Sequence, residues 1–162
     1  MRKQKGFSLI ELLIVVAIIL IIAAIAIPNL LNARMAAYEA SAVQSIKTIN
    51  TAEITYNSSY PTVGYAPTLA QLGGASPCTP SSTTACLIDN ILASGTKAGY
   101  NFTAIGSGGP PASSYYATAV PITVNRTGTR SFCSFEDAVI RVQPSGSAIA
   151  SEAACEALLP LQ

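Results

Sequence analysis

Glu11 is the residue in this chain most in need of a chemical reason, because it is an acid set inside an apolar run. From Phe7 to Ile27 the only polar side chains are Ser8 and Glu11. Wound as a helix rising about 1.5 Å per residue, that run spans roughly 31 Å, the thickness of one bilayer core. A carboxylate costs up to about 3 kcal/mol at mid-bilayer and less near an end, so an acid four residues into the run calls for a cation to meet it. The predicted chemistry is charge pairing in apolar surroundings, with Glu11 and a group on a neighbouring subunit fixing the register of packed helices. The plainer alternative is a carboxylate that snorkels to the interface.

The cysteines are the other residues with a definite chemistry. Cys78, Cys86, Cys133 and Cys155 are even in number and include no C-x-x-C pair, and the chain has no histidine, which excludes a mixed Cys/His zinc site. A zinc held by four cysteines is the remaining metal reading. Two disulfides are expected, and of the three possible pairings Cys78–Cys86 with Cys133–Cys155 closes two local loops and ties the tail to the sheet. Catalysis needs poised groups, and with no histidine, no tryptophan and few acids in the head, no enzyme is expected.

These residues must be held by two kinds of element. Arg2, Lys3 and Lys5 lie before the apolar run, and the first charges beyond it are Arg34 and Glu39. That asymmetry places the N-terminus in the cytoplasm and the remainder across the membrane, where disulfides persist. Ala24-Ile25-Ala26 imitates a secretory cleavage site, but Glu11 interrupts the apolar region that such a signal requires, and Pro28 stands just past the cut. From Asn29 to about Asn57 the helix is expected to continue. Leu31, Met35, Tyr38, Ala42, Ile46, Ile49 and Ala52 form an apolar stripe, while Arg34, Glu39, Gln44, Lys47 and Asn50 fall on other faces. Pro28 is carried as a kink.

Turn formers from Asn57 to Pro61 end the helix and open a loop region. Thr68 to Leu72 reads as one helical turn, Leu87 to Ser94 as a second short helix, and Ser151 to Leu159 as a third. Strands are expected at Tyr100 to Ile105, Tyr115 to Thr123, Ser131 to Phe135 and Val139 to Gln143, joined by short links that favour an antiparallel meander. The fold class is α+β: a long N-terminal helix, membrane-spanning in its lower half, packed by a small antiparallel sheet that lays one face on the helix and exposes the other. Only 10% of the residues are charged, and Lys and Arg are not clustered, so no nucleic-acid partner is predicted.

Gly6-Phe7-Ser8-Leu9-Ile10-Glu11, followed by a long apolar helix and Pro28, resembles the N-terminus of the type IV pilin and type II secretion pseudopilin family. The resemblance implies a leader at 1–6, an assembly helix at 7–28, its continuation at 29–57 and an extracytoplasmic head at 58–162. It further implies that a prepilin peptidase cuts after Gly6 and methylates Phe7, that Glu11 pairs with the N-terminal amine of an adjacent subunit, and that Pro28 bends the helix. The partners would be further copies of the chain, other pilins, the peptidase, inner-membrane assembly machinery and membrane lipid. The chain would sit in the inner membrane as a single-pass protein with a periplasmic head, then in a periplasmic or extracellular filament. Loss of Arg2, Lys3 and Lys5 takes the formal net charge from +1 to −2. The apolar run lacks the glycine that many members carry between the positions of Phe7 and Pro28. No cofactor is expected, although calcium-binding relatives draw attention to Glu136-Asp137, a pair well short of the six to eight oxygens calcium needs. These residues leave pilus and secretion pseudopilus open. The reading from a different class is a membrane-tethered binding domain that never polymerises.

Overall fold

The computed structural model describes residues 7–161. The expected leader, including Gly6, lies outside them. The chain divides into two compact units between Arg34 and Met35. One helix, α1 (Leu9–Ser59), contributes to both and contains Pro28.

In the first unit α1 is bare. Phe7, Leu9, Ile10, Leu12, Leu13 and the isoleucines as far as Ile27 are all exposed. The most apolar window of the helix reaches a mean hydropathy of 3.3 with none of it buried, and α1 is long and apolar enough to cross a membrane. Leu31, expected on the packing stripe, is exposed within this unit.

The second unit is built on the other part of α1. Glu39, Ala42, Ser45, Ile46, Ile49, Asn50, Ala52, Glu53 and Tyr56 are buried at successive steps of one to three residues, which wrap one broad helical face. Ala42, Ile46, Ile49 and Ala52 fall where the apolar spacing puts them, and burying Ile46 or Ile49 contributes about 2 kcal/mol each. Glu39 and Asn50 depart from the expectation of an outer face. The stripe is wider than its apolar members: Thr129 and Arg130, in the loop before β4, satisfy Glu39, and Ser134 and Tyr115 on the sheet satisfy Asn50.

Two single turns follow, α2 (Leu69–Leu72) and α3 (Asn90–Ala93), the latter capped by Asp89 accepting from the Leu92 amide. The sheet contains β1 (Thr96–Lys97), β2 (Tyr100–Ser107), β3 (Ser114–Pro121), β4 (Ser131–Phe135), β5 (Arg141–Gln143) and, after α4 (Glu152–Glu156), β6 (Leu159–Pro160). All neighbours pair antiparallel in sequence order. The two-residue edge strands β1 and β6 have too little periodicity to be read from sequence, and α3 and β5 are shorter than expected.

The exposed outer face predicted for the sheet is corrected at its centre. Every residue of β4 is buried. Phe132 joins the core against α1, and Ser134 is hydrogen-bonded to Asn50 on that side. Cys133 and Phe135 point the other way, into a second small core with Ile149 and Cys155. The tail is pinned over the sheet there, so β4 is covered on both faces.

Candidate assembly site

The first turn of α1 sets the geometry of Glu11. Ser8 precedes the helix, and its amide donates to Glu11 Oε2 at 2.9 Å, while the Leu12 amide reaches the Ser8 carbonyl at 3.3 Å. An acid three residues after a serine at a helix start is half of a capping box, and it offers negative charge to the positive end of the helix. The spacing Ser8-x-x-Glu11 carried this signal, and a reading concerned only with pairing between subunits passed over it. Glu11 thus folds back to within one residue of Phe7, whose side chain is exposed. Around it Leu9, Leu12, Leu13 and Val16 line an open apolar groove.

In the second unit Glu39, Asn50 and Glu53 are among the polar side chains that fasten α1 to the head. Glu39 is the most heavily used. Its Oε1 accepts from the Thr129 amide and hydroxyl, both at 2.8 Å, and from the Arg130 amide at 3.2 Å. Oε2 takes the Arg130 guanidinium through Nε at 2.9 Å and Nη2 at 2.7 Å. Burial alone would raise this carboxyl, but the Thr129 amide, the Arg130 guanidinium and the Thr129 hydroxyl outweigh it and hold the pKa below its ordinary value. Asn50 donates to Ser134 at 2.9 Å and accepts from the Tyr115 hydroxyl at 3.1 Å. Glu53 accepts the Ala66 amide at 2.8 Å.

The four cysteines form Cys78–Cys86 and Cys133–Cys155. Around the first, the Tyr56 hydroxyl donates to the Ser82 carbonyl at 2.6 Å, pinning the small disulfide loop to α1. The acidic pair separates: Glu136 accepts from Ser114, whereas Asp137 faces Arg141 in a two-pronged ion pair, Nη2 to Oδ2 at 2.7 Å and Nη1 to Oδ1 at 3.2 Å. Both Asp137 oxygens accept from the Arg141 guanidinium. Among the described residues no group of three or more His, Cys, Asp or Glu side chains could hold a metal.

Residues 1–27 match the family model for the prokaryotic N-terminal methylation motif. The chain is 74% identical over 34 residues to the type IV wide pilus major component PilA4 of Thermus thermophilus, covering 21% of this chain and 26% of that protein. It is 43% identical over 65 residues to the type II secretion system core protein G of Vibrio cholerae, covering 38% and 44%. To the type IV major pilin protein PilA of Myxococcus xanthus it is 47% identical over 51 residues, covering 32% and 23%. The matches span less than half the length of each of these relatives. No solved structure matches the chain. In this motif, in these partial matches and in a long apolar helix leading into a small antiparallel sheet, the chain is similar to type IV pilins and to a type II secretion core protein.

Proposed function

We propose that this protein is a structural subunit of a type IV pilus-like filament, a surface pilus or a secretion pseudopilus. In this reading a prepilin peptidase cuts it between Gly6 and Phe7 and methylates Phe7, and inner-membrane machinery draws it into a helical polymer of this chain and other pilins. The observation that carries the reading is the methylation motif over residues 1–27, together with an apolar stretch of α1 whose most hydrophobic window is not buried by any described residue. Such a helix needs lipid first and other copies of itself later, which is the path from single-pass membrane protein to filament core.

Glu11 supplies the register. Its Oε2 is occupied by the Ser8 amide, and Oε1 has no intrachain hydrogen bond among the described residues. Cleavage would create a free amine at Phe7. An incoming amine from a staggered neighbour would meet the free oxygen without first breaking the capping contact.

The test is the intact mass of the mature protein together with Glu11→Gln. A chain starting at methylated Phe7 is the expected product, whereas one starting at Ile27 would reveal secretory cleavage and remove the filament reading. Glu11→Gln should reach the membrane and be cleaved as the wild type is, yet yield at least tenfold less sheared filament. Each of its interfaces would hold an unpaired, desolvated amine. Normal filament yield from that variant would refute the pairing, and a wild-type chain that is processed but never polymerises would favour the tethered domain.

A further inference from the structure

Unlike Glu39 and Asn50, Glu53 lacks a full set of partners among the described residues. It is 0% exposed, and beyond the Ala66 amide on Oε2 its other oxygen, Oε1, has no hydrogen-bond partner among the described residues. The ionisable groups that act with it are the phenols of Tyr56, on α1, and Tyr115, on β3. Both are held above the ordinary range first by burial and next by the Glu53 charge. Neither is a cation, and among the described residues no cation is one of the groups that set the state of Glu53. An ionised carboxylate here is an uncompensated buried charge, and the neutral acid avoids it. Burial pushes the Glu53 carboxyl up to about 7, against the lowering effect of the Ala66 amide.

The group it holds is a joint in the head. Residues 60–67 leave the end of α1 with the Val63 and Gly64 amides bonded to the Tyr60 carbonyl. They then clasp the β2–β3 hairpin: Tyr65 donates to Ala112, Ala112 donates to Val63, and Gly106 donates to Ala66. Gly64, at φ +84°, lies so close to the Ala112 backbone that a Cβ would collide with it. Ala66 is therefore shared, its carbonyl bonded to the hairpin and its amide to Glu53.

We propose that Glu53 is a proton-dependent latch: its neutral carboxyl holds residues 60–67 between α1 and the β2–β3 hairpin, and loss of the proton releases that segment and loosens its grip on the hairpin. The sign follows from linkage. With an opened-state value of 4.5 and a closed-state value of about 7, opening is independent of pH below 4.5. Above that it becomes roughly tenfold more favourable per pH unit until the closed state also ionises, and then it levels off. The latch belongs to the head alone and operates whether or not the chain polymerises.

The experiment is amide hydrogen exchange on the full chain in detergent micelles, corrected for the intrinsic pH dependence of exchange and followed at Tyr65, Ala66, Gly106 and Ala112. Protection at these amides should fall about 40-fold between pH 5 and pH 7 in the wild type and stay flat in Glu53→Gln. A flat wild-type profile, or the same slope in both proteins, would overturn the proposal. Should Glu53→Gln fail to fold, the wild type still decides: in carboxyl-¹³C glutamate-labelled protein one resonance should titrate near pH 7, and titration of every glutamate at or below 4.5 would overturn it.

Discussion

Glu39 and Glu53 lie fourteen residues apart on one face of α1 and are opposite solutions to burying a carboxylate. Glu39 is supplied with donors from Thr129 and Arg130 and stays ionised, whereas Glu53 meets one amide and favours its neutral form. Neither outcome is written in the residue type. Both acids sit at helical positions adjoining Ala42, Ile46, Ile49 and Ala52, and the donors that decide between them arrive from more than ten residues away in sequence. Glu39→Gln keeps the shape but turns charge-assisted bonds into ordinary ones and leaves Arg130 without its partner. Because Arg130 is half exposed, the loss should be about 2 kcal/mol, read as a lower urea midpoint. Its pH dependence fixes the mechanism. The folded-state value is depressed, so the contribution of Glu39 is present above the unfolded value of 4.5 and lost as pH falls through the folded one. Wild type and Glu39→Gln should therefore converge at acid pH.

At the scale of elements, α4 and its disulfide show how a short piece is kept in place. A five-residue helix has almost no stability of its own in water. Its Ser151 cap and the Cys133–Cys155 bond, which closes a separation of 22 residues, hold it over the buried strand β4. Replacing both cysteines with alanine should cost about 3 kcal/mol by loop-closure entropy, and exchange protection should be lost first at residues 152–156 and later in β2 and β3. Equal loss across the sheet would show that α4 is part of the folding unit rather than tied to it. The strands β2, β3 and β4 could be read from β-branched and aromatic runs between turns. β1 and β6 could not, because two residues carry no period, and only the neighbouring strand makes them strands.

For the whole molecule, the two carboxylates set opposite limits on the head. Glu39 favours folding above its depressed value, and Glu53 opposes it progressively from 4.5 to about 7. Stability of the detergent-solubilised chain should be greatest near pH 4 to 5, fall by about 3 kcal/mol toward pH 7, and change little beyond. Urea titrations at four pH values would measure this, and a maximum near neutrality would mean that Glu53 ionises without cost.

The apolar run with its single acid determined by itself that the N-terminal part is a helix long and apolar enough to cross a membrane and that it carries the methylation motif. Those signals are local: a transfer free energy summed along consecutive residues, and a motif of fixed spacing. The upper helix was legible for the same reason, through one repeating period. Sequence spacing also favoured the cysteine pairs that the structure contains, since each closes a short loop. What only the tertiary structure decided is the fate of polar groups on a mostly apolar face. Glu39, Asn50 and Glu53 look alike as interruptions of a stripe, and a buried polar atom is stable only if a partner meets it. Those partners come from Thr129, Arg130, Ser134, Tyr115 and Ala66, and folding alone brings them within 3 Å or so of α1.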